Sequence, residues 1–444
     1  GILANMEILK LANSNKTQNK KVVARLQKGQ WFGEMALLSD DPRSATVVTE
    51  EHTVCYTLTK SAFAQIVSND KGVIRHITSE AELRKENNHE TLFRHERSDV
   101  ASAVSSLDAL DIRHPIGEGA YSIVRLATVR VADRDEVKSG DEVGFALKTM
   151  SKQDLLVRNQ ITHVNHEREI LEKSSHPFIL SLIKTFQNHD HIFMLFELLQ
   201  GGELFSLVVG SNGGLPYNQA RFYAACVTEG LAYLHRKHIV YRDLKLENLV
   251  VDSEGYVKII DFGFAKELKL KGETSQTLCG TPDYLAPEAV KRSGHSFQVD
   301  CWSLGVVIYE MLTQCSPYGD QANSGNQMAV FRRIIQGRKF VDWGQLARVC
   351  GGASSEKFLM LKDVLYMLWD PNPHTRMTCA NLKEPHEIFK GISFNDLRAK
   401  EITAPWIPKV ADTTDTSHFD VEQFRNAKES NLRFEGSQDV FKDF

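Results

Sequence analysis

The hydrophobic period changes repeatedly along the chain, and each change predicts an element. Met6–Leu11 and residues 21–26 partly alternate apolar with polar positions, and the polar run 12–20 between them reads as a hairpin tip. From 60 to 83 the spacing of Phe63, Ile66, Val67, Val73, Ile74, Ile77 and Leu83 is helical, whereas 84–104 is polar, charged and weakly periodic, as in a linker. Ile116-Gly117-Glu118-Gly119-Ala120-Tyr121-Ser122-Ile123-Val124 reads as a glycine-rich hairpin, and Phe145-Ala146-Leu147-Lys148 as a strand. The polar stretch 130–144 between them predicts a surface loop. Val164, Glu167, Ile170 and Leu171 fall at helical spacing, while 192–199 and Tyr256-Val257-Lys258-Ile259-Ile260 are buried-strand patterns.

Composition narrows the partners. With 444 residues, 42% hydrophobic and 25% charged, there is material for two or three domains with sizeable cores. Fifty-three basic against 57 acidic residues leave a formal charge of -4, so no global basic field points to nucleic acid. The seven cysteines (Cys55, Cys226, Cys279, Cys301, Cys315, Cys350, Cys379) are scattered without CxxC or Cys/His metal spacing; reduced thiols in a cytoplasmic setting, and no structural zinc, are the expectation. No run reaches the roughly eighteen apolar residues of a membrane span. The chain opens on Gly1 inside a strand pattern, so further sequence upstream is expected.

Chemistry concentrates in Tyr241-Arg242-Asp243-Leu244-Lys245-Leu246-Glu247-Asn248. Asp243, Lys245 and Asn248 put an acceptor for a hydroxyl proton, a phosphate contact and a metal ligand on one short turn, which suits phosphoryl transfer to an alcohol. Asp261-Phe262-Gly263 follows the strand at 256–260. A second cluster looks like an anion site: Gly33 permits a close backbone turn, the residues after it offer free N–H groups, Arg43 is a bidentate fork and Glu34 can accept a sugar hydroxyl.

The catalytic turn, Asp261-Phe262-Gly263 and Thr277-Leu278-Cys279-Gly280-Thr281-Pro282-Asp283-Tyr284-Leu285-Ala286-Pro287-Glu288 together resemble the AGC-type Ser/Thr protein kinases. The resemblance is strongest to the cGMP-dependent branch. It implies ATP and Mg2+ as cofactors, with Asp243 orienting the substrate hydroxyl, Lys245 on the γ-phosphate, and Asn248 and Asp261 on the metal. Ile116, Gly117, Gly119, Ser122 (where the family has a third glycine), Val124 and Ala146 would cover the nucleotide, Lys148 paired with Glu167 would meet its phosphates, and the backbone of Glu197 and Leu199 would receive adenine beside the bulky Phe196. Thr277 stands at the family's activation-loop phosphosite, implying an upstream activating kinase, with Arg242, Lys266 and His163 at the clamping positions. Glu203, Glu247 and Glu310 match positions that attract arginines before the phosphoacceptor, and Leu278, Pro282 and Leu285 would line a pocket for the residue after it. The expected substrates are therefore proteins with Arg or Lys before Ser/Thr.

Gly33, Glu34, Ala36 and Arg43 resemble the phosphate-binding cassette of cyclic-nucleotide-binding domains. A hydroxyl residue after that Arg favours cGMP where cAMP binders carry Ala, and Ser44 stands there; cAMP stays an alternative ligand. The family's barrel has strands before the first one visible here, so this copy is expected to bind cyclic nucleotide poorly by itself. The tail, with Phe419 and the terminal Phe441-Lys442-Asp443-Phe444, resembles the AGC tail that wraps the small lobe. Phe419 would approach the adenine, and Phe441 and Phe444 would fill an apolar pocket.

The expected fold is thus α+β multidomain: a partial β-barrel cyclic-nucleotide-binding domain (1–69), a helical linker (70–110), a bilobal protein kinase fold (111–389) and an AGC tail (390–444). Two other readings stay open, a cAMP-responsive AGC kinase and a nucleotide-binding regulatory scaffold without turnover. A transmembrane segment is not expected.

Overall fold

The structure is a computed structural model that describes residues 6–11, 20–26, 32–33, 46–49, 53–67, short runs between 87 and 102, and 104–444 except 131–141, 271, 320–325, 384–385 and 431. The chain divides into two compact units, 1–99 and 100–444.

In the first unit, β1 (Met6–Leu11) is the central strand of a three-stranded antiparallel sheet. It pairs on one side with β2 (Lys20–Leu26), across the predicted hairpin, and on the other with β3 (Thr46–Thr49). Helix α1 (Lys60–Val67) follows and buries Phe63. The expected continuation of this helix to residue 83 lies outside the described residues. In the linker, Asn87, Glu90, Thr91, Phe93, Arg94, Arg97 and Ser98 are helical, and Arg94 bonds Glu90 one turn earlier at 2.6 Å.

The second unit begins with a five-stranded antiparallel sheet in the order β4-β5-β6-β8-β7. Its strands are β4 (Asp111–Glu118), β5 (Ser122–Arg130), β6 (Glu142–Ser151), β7 (Leu182–Gln187) and β8 (His191–Glu197). Strand β6 starts earlier than the polar stretch 130–144 suggests, because Glu142, Val143 and Gly144 pair with Arg130, Val129 and Thr128. Cross-strand pairing there overrides local polarity. One face of the sheet packs with Val104 and Leu110 around Phe145, Leu147 and Leu195. Helices α2 (Lys152–Val157) and α3 (Ile161–Lys173) follow β6, and Ser151 caps α2 by accepting from Asp154 N at 3.2 Å.

Past Glu197 the chain turns mostly helical: α4 (Leu204–Val209), α5 (Tyr217–Arg236), α6 (Pro287–Val290), α7 (Gln298–Thr313), α8 (Gln327–Gln336), α9 (Trp343–Val349), α10 (Glu356–Leu368) and α11 (Cys379–Lys383). Between α5 and α6 lie two small antiparallel pairs, β9 (Ile239–Val240) with β12 (Lys266–Glu267) and β10 (Leu249–Val251) with β11 (Val257–Ile259). Helix α7 is apolar on nearly every face, which is why it runs through the middle of this lobe. At Gly305 a Cβ would come within 2.6 Å of Trp369 Nε1, so only glycine lets the Trp369 ring, which also meets Trp302 and Tyr318, approach the helix. Arg376 donates to both oxygens of Glu288 at 2.6 and 2.9 Å. Among the described residues, no helix is long and apolar enough to cross a membrane, and none of the seven cysteines is in a disulfide.

Candidate active site

The catalytic turn leaves β9 and is anchored from below by α7. Asp300 Oδ2 accepts from Tyr241 N at 2.9 Å and from His235 Nε2 at 2.8 Å, and Oδ1 accepts from Arg242 N at 2.8 Å. These bonds hold Arg242 at φ 72, a left-handed backbone that a non-glycine residue keeps only under such support. The turn therefore projects Asp243 in one orientation. Asn248 Nδ2 donates to the backbone oxygen and to Oδ2 of Asp243, both at 2.8 Å, and Lys245 Nζ lies 3.2 Å from the same carboxylate. Thr281 links the pair, since its Oγ1 accepts from Lys245 at 3.2 Å and donates to Asp243 Oδ1 at 3.4 Å. Burial pushes the Asp243 carboxyl up, while Lys245 and Asn248 pull it back toward the ionised form.

With its amide nitrogen committed to Asp243, Asn248 has its side-chain oxygen left to meet a cation. Asp261 sits at φ 58 just past β11, and Ile260 N donates to Asn248 O at 3.0 Å, which ties the two loops together. The two residues offer oxygen donors only, a set that fits magnesium. Phe262 is fully buried against Tyr241. Above them, Lys148 on β6 donates to Glu167 on α3 at 2.8 and 3.1 Å. Burial opposes the Lys148 charge, but Glu167 and Asp261 outweigh it and hold the ammonium above its ordinary range.

The glycine-rich hairpin lies at the edge of the same sheet. Gly119 N donates to Ser122 O at 2.8 Å across its tip, Val124 is paired directly with Lys148, and Ile116 is buried. Ala146 pairs with Phe196, which is buried, and the hinge backbone of Glu197 and Leu199 follows. The tail crosses the hinge closely: a Cβ on Gly202 would come within 2.6 Å of His418 O, next to half-buried Phe419.

The acids also converge. Burial pushes Glu310 up to about 7, with Glu247 and Asp283 adding to it, and Tyr284 OH donates to its carboxylate. Glu203 is raised by burial and then by Glu247. Leu285 is buried, and Leu278 and Pro282 are half-buried nearby in sequence.

Thr277 is exposed, and Arg242 instead donates to Ser275 Oγ at 2.8 Å and to Phe264 O at 2.7 Å. Lys266 pairs with Glu273 at 3.2 Å, and His163 Nδ1 donates to Gly263 O at 3.1 Å. Ser275, Glu273 and Thr281 escape motif reading because they act through tertiary contact; only the Gly280-Thr281-Pro282 sequence offered a signal, for Thr281. Of the proposed cyclic-nucleotide contacts, Gly33 has φ 84, the left-handed region its role as a turn requires, whereas Glu34, Ala36, Arg43 and Ser44 lie outside the described residues.

Comparison with known proteins gives two matches along the chain. Residues 110–387 match the protein kinase domain and residues 8–70 the cyclic nucleotide-binding domain. The human protein named cGMP-dependent protein kinase 2 is 32% identical over 446 residues, 94% of this chain and 55% of the relative. The isozyme 2 forms cD5/T2 of cGMP-dependent protein kinase from Drosophila melanogaster are 31% identical over 91% of this chain and 40% of theirs. The cGMP-dependent protein kinase of Plasmodium berghei (strain Anka) is 31% identical over 96% of this chain and 45% of its own. The chain spans about half the length of the curated relatives it matches.

Proposed function

Since the chain belongs to the protein kinase family and carries a cyclic nucleotide-binding domain ahead of the kinase domain, we propose that it is a cyclic-nucleotide-regulated Ser/Thr kinase. It transfers the γ-phosphate of ATP to proteins with Arg or Lys before the acceptor, and cGMP is its regulatory ligand. The observation that carries the reading is the closed hydrogen-bonded group of Asp243, Lys245, Asn248 and Thr281, set on a turn that Asp300 holds.

Asp243 orients the substrate hydroxyl and accepts its proton as the oxygen attacks. Lys245 faces the transferred phosphoryl group, and Lys148, kept charged by Glu167, holds the phosphates behind it. Asn248 and Asp261 would hold magnesium, which would supply charge to offset that of the phosphates. Glu203, Glu247 and Glu310 attract the basic residues of the substrate, and Leu278, Pro282 and Leu285 receive the residue after the acceptor. The names of the relatives and Ser44 after Arg43 support cGMP over cAMP. Seven cysteines without a disulfide among them support a cytoplasmic setting.

The test is phosphate transfer to an arginine-rich serine peptide and to the same peptide with its arginines replaced by alanine, with cGMP, cAMP or neither. Preference for the arginine peptide and stronger stimulation by cGMP are expected. Equal rates on both peptides would remove the basic-substrate reading, and stimulation by cAMP alone would reassign the ligand.

A further inference from the structure

Lys258 is a buried cation outside the phosphate chemistry. It lies on β11 at 4% exposure, and its Nζ donates to both oxygens of Glu197, at 2.8 and 2.7 Å. Glu197 ends β8 at the hinge. Its carboxylate also accepts from Ser181 N at 2.7 Å, while its own N–H returns to Ser181 O at 3.2 Å. The chain just before Ser181 is bound in turn to β11: Ile259 N donates to Phe178 O at 2.9 Å and Leu180 N to Ile259 O at 3.0 Å.

One carboxylate thus closes a junction of three segments. They are the stretch between α3 and β7, the hinge, and the strand that leads to Asp261. A buried ammonium needs an anionic partner, and here the partner is the side chain of Glu197, whose backbone would receive adenine in the ATP-dependent reading. We propose that Lys258 is a positioning residue for the nucleotide: by fixing the Glu197 side chain it holds the hinge backbone in register with Asp261. The inference rests on the ATP-dependent reading above and adds a residue to it. Hydrogen bonds to adenine are directional, so a small hinge displacement weakens binding, whereas the groups that act on the phosphate stay where Asp300 and Glu167 hold them.

The experiment compares the full chain with Lys258→Met, Lys258→Arg and the double variant Lys258→Met/Glu197→Gln. The double variant leaves no unpaired buried charge and keeps an acceptor for Ser181 N, so it guards against simple misfolding. Binding of Mg2+–ATP by calorimetry, initial rates on an arginine-rich peptide and Tm are measured for each. Lys258→Met is expected to raise both Kd and KM for ATP about tenfold, with kcat within about twofold and the peptide KM unchanged. Lys258→Arg should recover most of the affinity. The double variant should melt near the wild type yet bind ATP weakly.

Wild-type ATP affinity in Lys258→Met would overturn the proposal. So would losses of kcat and affinity that follow Tm and that arginine does not rescue. A wild type that binds ATP but transfers no phosphate would instead sink the catalytic reading, and the binding arm would still decide the role of Lys258.

Discussion

Asp243 illustrates how much of this site is made by neighbours. Its carboxylate would be an ordinary loop acid without Asn248, Lys245 and Thr281 around it. Replacing Thr281 by valine keeps the volume but removes both bonds, so kcat should fall about tenfold or more with little change in ATP KM, as steady-state rates would show. Glu310 carries a prediction in pH. Its carboxyl is pushed up to about 7, so it is largely neutral at pH 6 and anionic at pH 8. The KM for an arginine-rich peptide should therefore fall as pH rises through 7, and Glu310→Gln should flatten that profile. A KM that rises over this range, or a wild-type profile in Glu310→Gln, would contradict the assignment.

At the scale of elements, two segments outside the lobes' main secondary structure matter. Arg242 and Lys266 hold the activation segment through Ser275 and Glu273 while Thr277 stays exposed. A phosphate on Thr277 would compete for the same cations, so Thr277→Ala should lower activity several-fold, and an unchanged rate would refute the clamp. The tail ends with Phe441 fully buried, Lys152 Nζ 5.3 Å from its ring, and Arg168 5.4 Å from the ring of Phe444. Deleting Asp443 and Phe444 should lower Tm, and Phe441→Ala should cost about 3–5 kcal/mol, read by denaturant unfolding. The catalytic turn and the glycine-rich hairpin were legible in the sequence because their chemistry sits within a few consecutive residues. Thr281 under Asp243, Ser275 under Arg242 and Lys258 on Glu197 were not, since each joins segments that only the fold brings together. The same holds for Cys301 and Cys379, which look scattered along the chain yet place their sulfurs 3.3 Å apart in the core.

For the whole molecule, the order of units follows composition and pattern, and both units match the families that their motifs resemble. The proposed link most remote from any single residue is control, in which a cyclic nucleotide in the first unit would govern phosphate transfer in the second. That link presupposes the transfer itself, and one measurement tests it most directly. Labelled γ-phosphate is followed from Mg2+–ATP to an arginine-rich serine peptide, with the wild-type chain and with Asp243→Asn in parallel. Label should reach the peptide with the wild type, and the rate should fall at least about a hundredfold in the variant, whose fold and ATP binding remain. Equal transfer by Asp243→Asn, or ATP binding without transfer by the wild type, would contradict the catalytic role assigned to this turn.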